Sequence, residues 1–337
     1  MSFRYSLKPV LKRGCLVAAA NWQVTLVQAT ADSLFKLLIA VPLFGGVFLV
    51  ALVLGADPGS LFSLTWGDFV TTTIASLLSH PGVLVMFLLS LATVAIGGSL
   101  FVFLVKGGTI GVLVAGDAAA GRIEEPPLHF ETVAKAARFS LELFVERAQT
   151  LFPVYAKLGC ALMVVYLASG LIYLTLAWTS RFAGDSWLLT AMVTVGFVVW
   201  ITLINVLYLL VQIVIAADHC GVRTAGRRVI AFIRGEPYRL GGVFLLILVM
   251  VVIATGASFL AAASLSLITF VPFLGPFLGL AVLPLQLLAW MLREIVFQFI
   301  GLASVAAYLK LYRDFSSRAE PARASRVSAH SLVPNSQ

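Results

Sequence analysis

An all-α, polytopic transmembrane helix bundle of six spans, built as three helical hairpins with cytoplasmic amphipathic elbow helices, is predicted by three observations. Apolar residues make up 61% of the chain and charged residues only 11%, against roughly 25% charged in soluble proteins. Mean hydropathy is +1.03 over 337 residues, which a single anchor on a water-soluble domain cannot produce. The apolar runs are continuous for about 20 residues rather than alternating over about 10, which selects helices over a membrane barrel.

Six runs are long enough to cross a ~30 Å hydrocarbon core at ~1.5 Å per residue. They cover residues 37–54, 83–105, 158–179, 187–216 and 240–267, with a sixth lying between Leu283 and Tyr308. The fourth is longer than a crossing needs and is expected to tilt or to continue as helix beyond the membrane. Between the fifth and sixth, Pro272, Pro276 and Pro284 interrupt a stretch too apolar for a water-facing loop. Residues 266–284 therefore read as a re-entrant or packed hairpin.

Two connecting segments read as amphipathic helices. In "GVRTAGRRVIAFIRG", Val222, Ala225, Val229 and Ile233 share one face, and Arg223, Arg227 and Arg234 the other. In "FETVAKAARFSLELFVERAQTLF", Val133, Ala137, Leu141, Phe144, Ala148 and Leu151 form the apolar face. Such helices lie either in the headgroup region or docked on the bundle. The stretch "CLVAAANWQVTLVQA" carries a weaker version of the pattern.

The cations set the expected orientation. Of the 23 Lys and Arg, all but Arg181 and Arg293 fall on one side when the six spans are threaded alternately. Positive residues near span ends stay cytoplasmic, so both termini are expected there, in the inner membrane of a bacterial cell. The net charge of +8 is thereby explained by topology and by attraction to anionic lipid headgroups. Nucleic acid is not an expected partner, because no basic domain is left over and no groove-reading motif is present.

Spans two and four lead into "AGDAAAGR" and "AADHCGVR", in which Asp117 precedes Arg122, and Asp218 precedes Arg223, by five residues. Two readings stand: chance, or a structural elbow in which the aspartate at the span exit meets a cation on the next surface helix. The stretch "IVIAADHCGVRTAGRRVIAFIRGEPYRLGGVFLLILVMVV", with the later "AAYLKLYRDF", resembles a largely uncharacterised group of bacterial six-span integral membrane proteins. That group includes the membrane domain attached to some glycerophosphodiester phosphodiesterases. The resemblance matches Asp218, Arg223, Tyr308 and Arg313 and extends in architecture over residues 1–315. It implies a fold and a location, not an activity. The chain departs from the pattern in having no phosphodiesterase domain and in a longer, proline-richer segment at 266–284.

Catalytic chemistry is sparse. The four histidines are scattered, and no HExxH, CxxC, Walker or GxSxG pattern occurs. Adjacent residues of "DHC" point ~100° apart on a helix, so no metal is expected, and no cofactor. Gly107 and Gly111, like Ala254, Ser258 and Ala262, have the small-residue spacing of close helix packing. Cys15, Cys160 and Cys220 are expected as reduced thiols.

The exception is "LAWMLREIVFQFIGL", where Arg293, Glu294 and Gln298 form a candidate intramembrane polar site. A charge at mid-bilayer costs at least ~2.5–3.5 kcal/mol. Three arrangements relieve it: partners on other spans, an outward-leaning Arg293, or a sixth span made of residues 274–292 with Arg293 at the interface and a surface helix after it. Two functions follow. The first is a transporter or exporter component for lipid-like or amphiphilic molecules. The second is a non-catalytic scaffold or accessory subunit organising lipid or a membrane-protein partner. A water-accessible cavity at Glu294 favours the first, and a dry bundle with a small-residue seam the second. Residues 316–337, rich in Ser, Ala, Arg and Pro, are expected as a disordered tail.

Overall fold

The computed structural model describes residues 7–54, 65–127, 130–182, 187–269 and 275–331. Among them the chain is all-helical, without strands. The helices are α1 (Lys8–Ala20), α2 (Trp22–Leu54), α3 (Trp66–Ser79), α4 (Pro81–Ala119) and α5 (Phe130–Ala136), followed by α6 (Leu141–Phe182), α7 (Trp187–Asp218), α8 (Val222–Gly235), α9 (Pro237–Thr269) and α10 (Gly275–Ser331). Six of these, α2, α4, α6, α7, α9 and α10, are long and apolar enough to cross a membrane. Successive long helices pack on one another, α2 on α4, α6 on α7 and α9 on α10, and α4 also packs along α6.

The helices divide into two zones. Exposed apolar side chains run from Leu34 to Phe48 on α2, Leu78 to Phe101 on α3 and α4, Met163 to Trp178 on α6, Leu188 to Leu207 on α7, Leu245 to Leu260 on α9 and Leu285 to Val296 on α10. This band is what lipid, rather than water, must cover. Below it the same helices continue into a packed core that includes Val24, Val112, Leu113, Tyr155, Ile213, Val243 and Leu309, each almost wholly buried. The basic residues cluster at this end, called here the charged end.

Backbones approach closely along the core. A Cβ on Gly14 would lie 2.5 Å from the Ala303 carbonyl oxygen, so α1 can lie against α10 only with glycine there. Along the α4–α6 seam, a Cβ on Gly108 would meet the Phe144 carbonyl at 2.8 Å and one on Gly111 the Arg147 Cβ at 2.5 Å. The small-residue spacing around Gly107 thus serves helix packing.

Several elements differ from the sequence reading. Residues 141–151 are not a separate surface helix but the start of α6, a 42-residue helix that runs on through Pro153. Residues 275–284 are helical from Gly275, with Pro276 in the first turn, where a missing N–H breaks no helical bond; the expected hairpin is not formed there, and its Pro272 lies outside the described residues. No surface helix follows Arg293, since α10 continues unbroken. Helix α10 also extends to Ser331, into the stretch expected as a disordered tail, and Arg318 pairs with Glu236 at 2.8 Å. Helix α8 is docked, its Ala225, Val229 and Phe232 buried in the core. Helix α3 was not foreseen. Its start is marked by Thr65, whose hydroxyl accepts from the Asp68 backbone N–H at 3.3 Å and donates to the Asp68 carboxylate at 2.6 Å.

Candidate functional site

The charged end is tied together at the two exit aspartates. Asp117 closes α4, and its side chain is 1% exposed. Arg13 of α1 donates from Nε to Asp117 Oδ1 at 2.6 Å and from Nη2 to the Asp117 carbonyl at 2.8 Å. Its Nη1 reaches the Gly121 carbonyl at 2.5 Å and Glu124 Oε2 at 2.7 Å. From α10, Arg313 donates to the other carboxylate oxygen of Asp117 and to the Val114 carbonyl. One buried carboxylate therefore holds the first and last helices to the exit of α4.

Asp218, at the end of α7, accepts from Arg228 of α8 and from the Tyr312 hydroxyl of α10. Phe232 stacks edge-on against Tyr312, centroids 5.5 Å apart. Consecutive residues of α10, Tyr312 and Arg313, thus serve the two aspartates, which their ~100° separation on a helix allows. The partners are not those expected. Arg122 turns away after Gly121, which takes φ 57°, and pairs with Glu125 at 3.6 Å while 83% exposed. Arg223 is exposed, and Asp218 is met a turn and a half further along α8. Tyr308, matched by the resemblance, is a core residue. His219 adopts φ 48°, a left-handed conformation that histidine tolerates better than most and that ends α7.

Glu124 gathers the remaining cations: Arg13, Lys310 at 3.6 Å, and Lys12, which donates to its carbonyl at 3.0 Å. Burial pushes the Glu124 carboxyl up, but its own backbone N–H, Arg13 and Lys310 outweigh that and hold it below the ordinary carboxylate value. A carboxyl depressed on folding stabilises the folded state above its unfolded pKa, about 4.3, and loses that contribution as pH falls through the lower folded value. Thermal unfolding followed from pH 6 downward should show a loss beginning near pH 4.3. That component should be missing in Glu124→Gln; an identical pH profile for the two proteins would contradict it.

Within the apolar band, Arg293 and Glu294 face different neighbours, as adjacent helical positions must. Glu294 accepts from Lys36 of α2, 3.1 Å to each oxygen, and from Gln298 Nε2 at 3.2 Å. Lys36 also pairs with Asp32 at 2.7 Å. Glu294 is thus neutralised by a partner on another span. Arg293 faces α9 instead. Its guanidinium leans on the Phe297 ring, 5.7 Å to the centroid, one turn toward the charged end, so of the three arrangements the outward lean is not the one adopted. Such a contact offsets about 0.5–2 kcal/mol, less than the ~2.5–3.5 kcal/mol cost of the charge.

Arg293 lines a cavity of about 430 Å³ between α9 and α10, whose α9 wall is Ala254, Ala257, Ser258, Ala261 and Ala262, with Leu265 the one large side chain of that wall. The small face of α9 thus borders an open groove instead of a tight helix contact. A second groove, about 600 Å³ and almost wholly apolar, lies between α6 and α7 and contains Ser169, Tyr173, Phe197 and Trp200. Neither includes Glu294. Sequence reasoning missed Arg13, Glu124, Arg228, Tyr312, Lys36 and Asp32; only the lone charges of Asp32 and Lys36 at the edge of an apolar run hinted at a role.

Compared with known proteins, the chain matches no family model, no curated protein and no solved structure. What fold and site define is a multi-pass membrane protein with six apolar helices, a bolted charged end and grooves open on its apolar wall.

Proposed function

We propose that the protein is a non-catalytic accessory or scaffolding component of the bacterial inner membrane, both termini cytoplasmic, that holds lipid-like amphiphiles against its wall. The observation that carries this reading is the position of the grooves: they open sideways in the apolar band, and Glu294 is occupied by Lys36 and Gln298 instead of lining either of them. The lopsided placement of cations supports the orientation. The exposed stripe of Arg223, Arg227 and Arg234 on α8, around the half-exposed Ile230, supports contact with anionic headgroups. The resemblance to six-span membrane domains agrees with both.

A transporter or exporter component for amphiphiles is the second reading, favoured by the charge of Arg293 in one groove, which has no ion-pair partner among the described residues. Reconstitution separates them. In proteoliposomes carrying a fluorescent lipid, transbilayer movement should match protein-free vesicles, while native mass spectrometry of the solubilised protein retains bound lipid. Lipid movement several-fold above the protein-free rate would overturn the accessory reading and establish transport.

A further inference from the structure

In the groove between α9 and α10 a cation of the exposed band, Arg293, borders open space. Arg293 has Leu292 and Val296 beside it and lipid-exposed Leu245–Ile253 and Phe259–Leu260 above and below it on α9. Among the described residues no carboxylate lies within ion-pair distance of it; its one described partner is the Phe297 ring. Glu294, next in sequence, is turned to α2 and taken by Lys36.

We propose that this groove binds a long-chain fatty carboxylate, the head on the Arg293 guanidinium and the chain laid along Ala254–Ala262 of α9. The inference deepens the amphiphile-holding reading and rests on it for the lipid-facing setting. The wall explains the chain. Ala254, Ala257, Ser258, Ala261 and Ala262 leave a trough where larger side chains would fill it, and the Ser258 hydroxyl is turned inward to the Ala254 carbonyl at 2.7 Å, so the surface offered is apolar. A volume of about 430 Å³ is at the lower end for small-ligand sites and suits one chain rather than two.

Charge and depth explain the head. A guanidinium presents a planar fork that matches a carboxylate with two parallel hydrogen bonds, and the pair removes an isolated charge from the apolar band. A carboxylic acid can reach that depth neutral and ionise there, its proton passing to water and its charge offset by Arg293. A phosphate monoester cannot discard its charge on the way.

Trp290 lines the same groove and is half-exposed, so it reports occupancy. The full-length protein in phosphatidylcholine nanodiscs is titrated with dibrominated stearate, dibrominated stearyl alcohol or a dibrominated single-chain phosphate. Quenching that belongs to Trp290 is taken as the difference from Trp290→Phe. The carboxylate should half-quench Trp290 at about tenfold lower mole fraction than the alcohol, as one charge-assisted pair would give. Arg293→Gln, at an exposed position, should bring the two together, and Arg293→Lys should keep part of the preference.

Equal quenching by acid and alcohol, or a preference that survives Arg293→Gln, would overturn the site. A phosphate as effective as the carboxylate would overturn the choice of head. Because binding is read at equilibrium, with no transfer across the bilayer, a protein that binds stearate yet moves lipid defeats the accessory reading alone. One that moves no lipid and shows no acid preference defeats the site alone.

Discussion

Asp117→Ala is expected to lower the melting temperature in detergent by roughly 6 °C or more, the effect of losing about 3–5 kcal/mol when one partner of a buried ion cluster is removed. The substitution strands two arginines. Arg13, with a side chain 8% exposed, keeps Glu124 and the carbonyls of Asp117 and Gly121, but loses the carboxylate that offsets its desolvation. Arg313, 33% exposed, loses the one carboxylate it pairs with among the described residues. Because these residues belong to α1 and α10, the damage should spread to the packing of both ends of the chain on α4, visible as faster amide exchange around Val305–Tyr312. Arg122→Ala is the control. Its side chain is 83% exposed and pairs with Glu125 at the surface, so it should change stability by no more than about 0.5 kcal/mol. Equal melting of Asp117→Ala and Arg122→Ala would show that the Asp117 cluster does not hold the charged end together.

The spans were legible because hydropathy over ~20 residues is a local property; so was the importance of Asp117 and Asp218, charged residues where apolar runs end. Their partners were not legible. Arg13 is 104 positions from Asp117 and Tyr312 is 94 from Asp218, and no periodicity encodes such pairings. The apolar face at Phe144–Leu151 is legible, but whether it meets headgroups or the bundle is not, nor that it begins a span, since lipid-facing and core-facing side chains have the same composition. Only packing against Gly108 and Gly111 distinguishes them. Likewise Arg293 and Glu294 announced themselves as a pair, while their division between α9 and α2 depended on where those helices lie.

Asn21→Ala is expected to be the second most damaging single change. This residue, wholly buried between α1 and α2, was passed over in the sequence as part of a weak amphipathic stretch. Its Nδ2 donates to the Val17 carbonyl at 3.0 Å and the Ala136 carbonyl at 2.9 Å, and its Oδ1 accepts from the backbone N–H groups of Arg138 at 2.9 Å and Phe139 at 3.1 Å. One amide thus closes α1, caps the end of α5 and fixes the irregular residues that lead into α6. Space for it is made by Gly116, where a Cβ would lie 2.7 Å from the Ala136 carbonyl and 2.9 Å from Asn21 Nδ2. Alanine leaves these backbone groups without their partner, at about 1–3 kcal/mol for each that water cannot reach. Since the segment 137–140 is partly exposed, about 2–4 kcal/mol is expected in total. Gly116→Ala, which displaces the amide without removing it, should reproduce the loss of amide protection at Arg138 and Phe139. Protection retained at both amides in Asn21→Ala would mean that the α5–α6 junction is held by packing and not by this side chain.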